Sequence, residues 1–134
     1  MQRTQDVRLR LPPDPSIVRT ARDSVEGLAE AVPPRVLETV RLVISELVTN
    51  SIRHADLGPR DRIDLHVSLT ANGVRVEVID NGRGFRPSPE PTPRGTSGYG
   101  HFLVDQLADR WGVTRDGRTR VWAEVDLERA RIAI

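Results

Sequence analysis

The segment that decides the fold is Glu46-Leu-Val-Thr-Asn-Ser-Ile-Arg-His-Ala55. It is the last part of a longer segment in which apolar residues recur every three or four positions. This spacing predicts a helix with one buried stripe, formed by Leu37, Val40, Ile44, Leu47, Val48 and Ala55. Glu46 and Asn50 are four residues apart, so they share a face at the shoulder of that stripe. Half-buried polar groups need partners, which a divalent cation, a bound ligand or a water network could supply. The simpler alternative is an exposed Glu and an Asn whose hydrogen bonds are satisfied within the fold.

The composition is that of an ordinary soluble protein, with 134 residues, 37% of them hydrophobic and 29% charged. The net charge is only +1, with 20 basic residues against 19 acidic ones and no basic block, which argues against nucleic acid as the main partner. Because the chain has no cysteine, it can form no disulfide, thiolate nucleophile or cysteine-ligated metal site. We find neither a signal segment nor an apolar run of membrane-spanning length, so we expect a cytoplasmic protein that does not engage a membrane.

The chain contains no lysine, so apart from histidine its basic side chains are all arginine. This excludes the P-loop lysine, the strand lysine of protein kinases and Schiff-base chemistry. GC-rich coding is a simple cause of the bias. A protein of this composition that handled ATP would have to bind it by another route.

The first part of the chain predicts a strand and two helices. Apolar residues that alternate with arginines indicate a short N-terminal strand at about residues 5–11. Asp14 before Pro15 is a favourable helix start, and helical spacing then continues to about Ala31. The two prolines that follow separate this helix from the long one, which runs to about Ala55.

The remaining part predicts a hairpin, a loop, a helix and two strands. Residues 63–69 and 74–78 alternate apolar with polar side chains, and Asn72-Gly73 between them is a preferred two-residue hairpin turn. Residues 80–100 are rich in Gly, Pro, Ser and Thr, which indicates a long loop. A short helix and two strands joined by a turn at Gly117 complete the pattern.

This order of elements predicts an α+β fold. We expect a two-layer sandwich in which about three helices cover one face of a mostly antiparallel sheet. We also expect a single domain that covers residues 1–134.

A second polar motif stands where the second hairpin strand ends, at Ile79-Asp80-Asn81-Gly82-Arg83-Gly84-Phe85. A carboxylate followed by two glycines one residue apart suits a site where the backbone approaches a flat ligand closely. Asp80 could accept a hydrogen bond from an exocyclic amine such as that of adenine. A glycine-rich turn with a solvated Asp explains the motif equally well.

A third motif, Gly95-Thr96-Ser97-Gly98-Tyr99-Gly100, precedes the predicted short helix. Glycines ahead of a helix can direct backbone N–H groups and the positive end of the helix toward phosphate oxygens. Many helices begin with Gly and Ser, so this motif alone is weak. It matches neither a Walker A motif nor a Rossmann fingerprint, since no βαβ unit surrounds it.

Together the three motifs are far more specific than any one of them. They resemble the N, G1 and G2 boxes of the GHKL ATPase superfamily, whose domains have the Bergerat fold. Within that superfamily the chain is similar to the stand-alone bacterial ATP-binding proteins of the anti-sigma-factor serine kinase family, from about residue 7 to residue 127. The segments that carry the resemblance are Leu11–Val18, Ser45–Ala55, Val78–Phe85, Leu107–Val113 and Val121–Glu124.

The resemblance implies a role for each matching residue. Asn50 would bind Mg²⁺, which holds the ATP phosphates, and Glu46 would be the general base that takes a proton from a serine hydroxyl or from water. Asp80 would read the adenine amino group, with Gly82 and Gly84 letting the base lie close. Residues 85–97 would form the ATP lid. The other residues at the nucleotide would be Arg53, Phe85, Gly95, Thr96, Ser97, Gly98, Tyr99, Gly100, His101 and Thr119.

Three positions depart from the family pattern. Tyr99 and His101 stand where the family usually has Arg and Leu, and His101 could alter nucleotide affinity. The final Thr of the family usually lies directly before the Val-Trp pair. Here Arg120 takes that place and Thr119 is one residue earlier, which weakens the expectation of a threonine contact to the adenine pocket.

The resemblance implies an ATP-dependent protein serine/threonine kinase that is also an anti-sigma factor. It would phosphorylate a serine of an anti-anti-sigma antagonist, sequester a sigma factor from RNA polymerase and form homodimers. The alternative is a catalytically silent module of the same fold, in which ATP gates a protein interaction. The intact Glu46 argues against this alternative, whereas Tyr99, His101 and the displaced Thr argue for it. A two-component histidine kinase or a DNA-binding regulator fits less well, because the ATP-binding pattern fills the chain and its charge is balanced.

Overall fold

The structure, a computed structural model, describes residues 6–54, 57–81 and 99–128. The strands and helices come in the order that the sequence predicts. The expected ATP lid at residues 85–97 lies outside the described residues. No helix among those described is both long enough and apolar enough to cross a lipid bilayer. The elements are β1 (Val7–Leu11), α1 (Ile17–Asp23), a 3-10 turn (Glu26–Leu28), α2 (Pro34–His54), β2 (Ile63–Leu69), β3 (Gly73–Asp80), α3 (Tyr99–Leu107), β4 (Arg110–Arg115) and β5 (Thr119–Asp126).

The strands form one five-stranded sheet in the order β1-β2-β3-β5-β4, and every neighbouring pair is antiparallel. Side chains alternate between the two faces of each strand. Apart from Ile79 and Trp122, which face the other way, the apolar members of β2, β3 and β5 point to the same side, where they pack with residues of α1, α2 and α3. The two-layer α+β fold that the sequence predicts is therefore confirmed.

Helix α2 forms because its apolar residues recur on one face and its first residue is a proline. Pro34 suits the first helical position, where no N–H is needed within the helix and φ is already helical. The helix is described as far as His54, and Ala55, the predicted end of the helix and of its stripe, lies outside the described residues. Its buried stripe is Val36, Leu37, Val40, Val43, Ile44, Leu47 and Val48, continued by the polar Ser51.

The prediction of one continuous helix from Asp14 to about Ala31 was wrong. The α1 helix begins at Ile17, and the Asp14 carboxylate instead accepts a hydrogen bond from the N–H of Ser16, at 3.2 Å. The helix ends at Asp23, because Ser24 Oγ donates to the carbonyl of Ala21 at 2.7 Å and the next residue leaves the helical conformation. Serine competes with the helix for backbone partners in this way.

The predicted Asn72-Gly73 turn was displaced by one residue. Ala71 and Asn72 form the turn, and Gly73 begins β3. Gly73 is needed for a different reason, since a Cβ there would overlap the carbonyl oxygen of Val125 in β5. The turn predicted at Gly117 is confirmed, with a positive φ of 94° that favours glycine.

The sheet face opposite the helices carries a charged network. Arg75 Nη1 donates to Glu124 at 2.7 Å, and its guanidinium stacks 4.6 Å from the Trp122 ring centroid. Arg110 contacts Glu124 at 3.0 Å and Asp126 at 2.6 Å. Opposite charges on adjacent strands therefore offset one another on this face.

Candidate nucleotide-binding site

The centre of the site is a buried carboxylate. Asp80 is the last residue of β3, points toward the helices and is only 3% exposed. Ser51 of α2, 6% exposed, donates a 2.7 Å hydrogen bond to Asp80 Oδ2. Charge-assisted bonds of this kind offset part of the cost of burying a carboxylate. The helix that carries Glu46 and Asn50 is thus joined directly to the end of the strand that carries Asp80.

Sequence reasoning did not single out Ser51. It lies seven residues after Ile44 on the apolar stripe, where a polar side chain must find a partner within the fold. Its place on this stripe is the sequence signal that could have identified Ser51. The partner could not be read from the sequence, because it lies on another element.

Thr119 is part of this site. It is 5% exposed and stands directly opposite Asp80 in the β3–β5 pairing. Arg120, which follows it, faces the other side of the sheet, where its Nη1 donates to Glu77 Oε1 at 3.0 Å. Because side chains alternate along a strand, Thr119 faces the helices and Arg120 does not. The one-residue displacement therefore keeps the threonine beside Asp80, and its contact with adenine stays a prediction.

Glu46 and Asn50 both lie half-buried on α2, at the shoulder of the apolar stripe where the sequence places them. Burial raises the pKa of Glu46 above its ordinary value, and the charge of Arg53 lowers that pKa part of the way back. Arg53 itself is exposed near the end of the helix. A carboxylate with a raised pKa is a stronger base than one in water.

The oxygen donors of Asn50 and Glu46 fit the hard ligands that Mg²⁺ prefers. Within residues 6–54, 57–81 and 99–128, no group of three His, Asp or Glu side chains could hold a metal ion. Mg²⁺ in nucleotide sites is commonly held by one or two protein oxygens together with phosphate oxygens and water, and Asn50 could supply such an oxygen.

The structure describes only some of the other predicted site residues. Tyr99 is the first residue of α3 and is followed by Gly100 and His101; their side chains are outside the description. Helix α3 packs against α2. The residues that fall in the undescribed range are Gly82, Gly84, Phe85, Gly95, Thr96, Ser97 and Gly98.

Residues 11–125 match the model of the histidine kinase-like ATPase domain. The chain belongs to this family. The resemblance to the GHKL ATPase superfamily that the three motifs indicated is therefore confirmed.

Among curated proteins, the chain is similar to one named "Serine-protein kinase RsbW" from Listeria innocua serovar 6a. The two are 28% identical over 118 residues, which cover 77% of this chain and 75% of the relative. A protein of the same name from Listeria monocytogenes serovar 1/2a matches with the same identity and coverage.

Solved structures show the same fold. A structure of RsbU and RsbW domains from Mycobacterium tuberculosis aligns with a TM-score of 0.71 over 92% of this chain, at 21% identity. A blue-light activated histidine kinase from Erythrobacter litoralis aligns with a TM-score of 0.57 over 75% of this chain, at 30% identity. The alignments span 33% of each of those two longer chains.

Proposed function

We propose that the protein binds ATP with Mg²⁺ and transfers the γ-phosphate to a serine of a partner protein, acting as a serine/threonine kinase and anti-sigma factor. The observation that carries the proposal is the buried Asp80, held by Ser51 and opposite Thr119, at the end of a strand next to the helix that bears Glu46. The family match and the relatives named serine-protein kinase support the same reading.

The adenine would be recognised by Asp80. Ser51 engages one carboxylate oxygen and so restricts the orientation of the carboxylate, and an ionised carboxylate can accept several hydrogen bonds, including one from an exocyclic amine. Asn50 would ligate Mg²⁺ through its side-chain oxygen. When bound, this ion neutralises charge on the phosphates and on the transferring group.

Glu46 would be the general base. As the acceptor serine oxygen bonds to the γ-phosphorus, the bond from that phosphorus to the β–γ bridging oxygen breaks and ADP leaves. The serine proton passes to the Glu46 carboxylate, whose pKa burial raises toward the working range of a base. Arg53 would keep this carboxylate ionised between turnovers by its positive charge.

The partners follow from the family as proposals. The phosphorylated protein would be an anti-anti-sigma antagonist, and the second partner a sigma factor that is kept from RNA polymerase. The protein would act in the cytoplasm as a homodimer, with residues 1–134 forming one domain.

One argument for the silent module, the displaced threonine, is weakened. Thr119 is buried opposite Asp80 despite its displaced position in the sequence. The half-buried Glu46, with its raised pKa, is also suited to proton transfer rather than to binding alone.

Calorimetric titration of ATP and Mg²⁺ tests the proposal on the wild type, Asn50→Ala, Glu46→Gln and the control Glu38→Gln, an exposed glutamate of the same helix. γ-Phosphate transfer to a panel of anti-anti-sigma domains is then measured on the same samples. We expect Asn50→Ala to weaken binding, Glu46→Gln to bind without transfer, and Glu38→Gln to behave as wild type. Binding without any wild-type transfer would favour the silent module, and no binding would refute the nucleotide site.

A further inference from the structure

Arg118 connects three strands at the end of the sheet that carries Asp80. It lies in the turn between β4 and β5, one residue before Thr119. Its Nε donates to the side-chain oxygen of Asn81 at 3.2 Å, and its Nη2 donates to Asp64 Oδ2 on β2 at 2.8 Å.

The path of this side chain follows from the strand order. Since β3 lies between β2 and β5, a side chain that starts beside β5 and reaches β2 must cross the end of β3. The distance to be crossed is about 10 Å, twice the spacing of neighbouring strands. It crosses on the face away from the helices, because Asp64 pairs with Ile79, whose side chain points opposite to that of Asp80.

Ile79 supports this description. It lies on the outer, charged face of the sheet, yet it is only 2% exposed. Its cross-strand neighbours are Asp64 and Arg120, and the Arg118 side chain passes between β5 and Asp64 over the same strand. The apolar stem of an arginine can shield a side chain beneath it from water while its guanidinium stays exposed, and the Arg118 side chain is 43% exposed.

Asp64 is a firm anchor for this contact. Its side chain is 15% exposed, and its other oxygen lies 3.6 Å from the Nε of Arg10 on β1. Two arginines from opposite directions therefore hold one carboxylate, and through Arg118 this carboxylate is linked to Asn81.

We propose that Arg118 is a positioning residue for adenine recognition, an inference that rests on the proposed function. Asn81 directly follows Asp80, the last residue of β3, and strand ends open more easily than strand centres. Ser51 holds the Asp80 carboxylate from the helix side, and Arg118 holds the side chain of the next residue, Asn81, from the outer side. Without Arg118 the end of β3 opens, and Asp80 no longer meets the exocyclic amine in one orientation.

The test compares ADP with inosine diphosphate, which carries an oxygen in place of the adenine amine. Calorimetry is performed with Mg²⁺ on the wild type, Arg118→Ala and Arg110→Ala. Arg110 is the matched control, because it also contacts two acidic side chains on the outer face, but at the opposite end of β5. We expect Arg118→Ala to weaken ADP binding about fivefold, the scale of exposed ion pairs, and inosine diphosphate binding much less. Arg110→Ala should change neither.

A second variant separates positioning from direct contact with the nucleotide. Asp64→Asn leaves Arg118 in place but weakens its anchor on β2, so it should reduce the preference for ADP in the same direction. The double variant with Arg118→Ala should be no worse than Arg118→Ala alone. If Arg118→Ala lowers only the melting temperature and leaves the ratio of the two affinities unchanged, the inference is refuted. Wild-type protein that fails to bind ADP would instead refute the proposed function itself.

Discussion

Ser51 and Asp80, 29 residues apart in the chain, are joined by a buried 2.7 Å hydrogen bond in which the serine hydroxyl donates to the carboxylate. This bond links the helix of the proposed general base to the strand of the proposed adenine contact. It also supplies a donor to a charge that is almost completely removed from water. The pair therefore contributes both to the fold and to the geometry of the site.

Removing the Ser51 hydroxyl should destabilise the protein. We expect Ser51→Ala to lower the free energy of unfolding by about 1–2 kcal/mol, because it leaves a buried carboxylate with one donor fewer. Ser45→Ala is the matched control on the same helix, since the Ser45 hydroxyl is buried without a partner among the described residues. Urea denaturation at neutral pH measures both. Equal losses in the two variants would show that the bond to Asp80 adds nothing.

Changing Asp80 to Asn should alter the choice of base while keeping the shape of the side chain. The amide can donate a hydrogen bond where the carboxylate could only accept one. We expect Asp80→Asn to weaken ADP binding about tenfold or more, and to weaken inosine diphosphate binding less. Asp23→Asn, at the exposed end of α1, should leave both affinities unchanged. Calorimetry checks this, and an unchanged ADP affinity would place the adenine elsewhere.

Long periodic segments made much of this fold predictable. The apolar stripe of α2 and the alternation in β2, β3 and β5 predicted which segments are helices, which are strands and which face of each is buried. The same periodicity placed Glu46 and Asn50 half-buried on one flank. These features depend on neighbours along the chain, which a sequence displays directly.

The features that sequence reasoning missed depend on contacts between distant segments or on local competition. The position of Gly73 is set by the approach of the Val125 carbonyl from another strand. The Ser51–Asp80 bond requires the packing of α2 on β3, and the position of Thr119 opposite Asp80 requires the strand register. The early end of α1 results from one serine hydroxyl that takes a backbone carbonyl, a choice that apolar spacing does not reveal.

The close approach at Gly73 leads to a prediction on stability. A Cβ at this position would overlap the Val125 carbonyl oxygen and lie 2.9 Å from the Cα of Asp126, so two strands would have to separate. We expect Gly73→Ala to cost about 2 kcal/mol or more in unfolding free energy. Gly27→Ala is the control, because a Cβ there meets nothing within 4 Å and should be neutral or slightly stabilising. Urea titrations of the two variants decide the matter, and equal stabilities would contradict the packing described.

The last prediction concerns the pH dependence of phosphoryl transfer. Burial raises the pKa of Glu46 above its ordinary value of 4.5, and the charge of Arg53 opposes that rise. The base acts when deprotonated, so the rate of transfer falls as pH decreases through this pKa. Replacing Arg53 with Gln removes the opposing charge and raises the pKa further, which should move the acid limb of kcat to higher pH.

Arg53→Lys retains the charge and should keep the acid limb close to that of wild type. Arg35→Gln removes an exposed charge near the other end of α2 and should leave the limb in place. The measurement is kcat against pH at saturating ATP and constant ionic strength, since screening weakens the effect of an exposed arginine. A change in KM with an unmoved acid limb would assign Arg53 to nucleotide contact instead of to the tuning of Glu46.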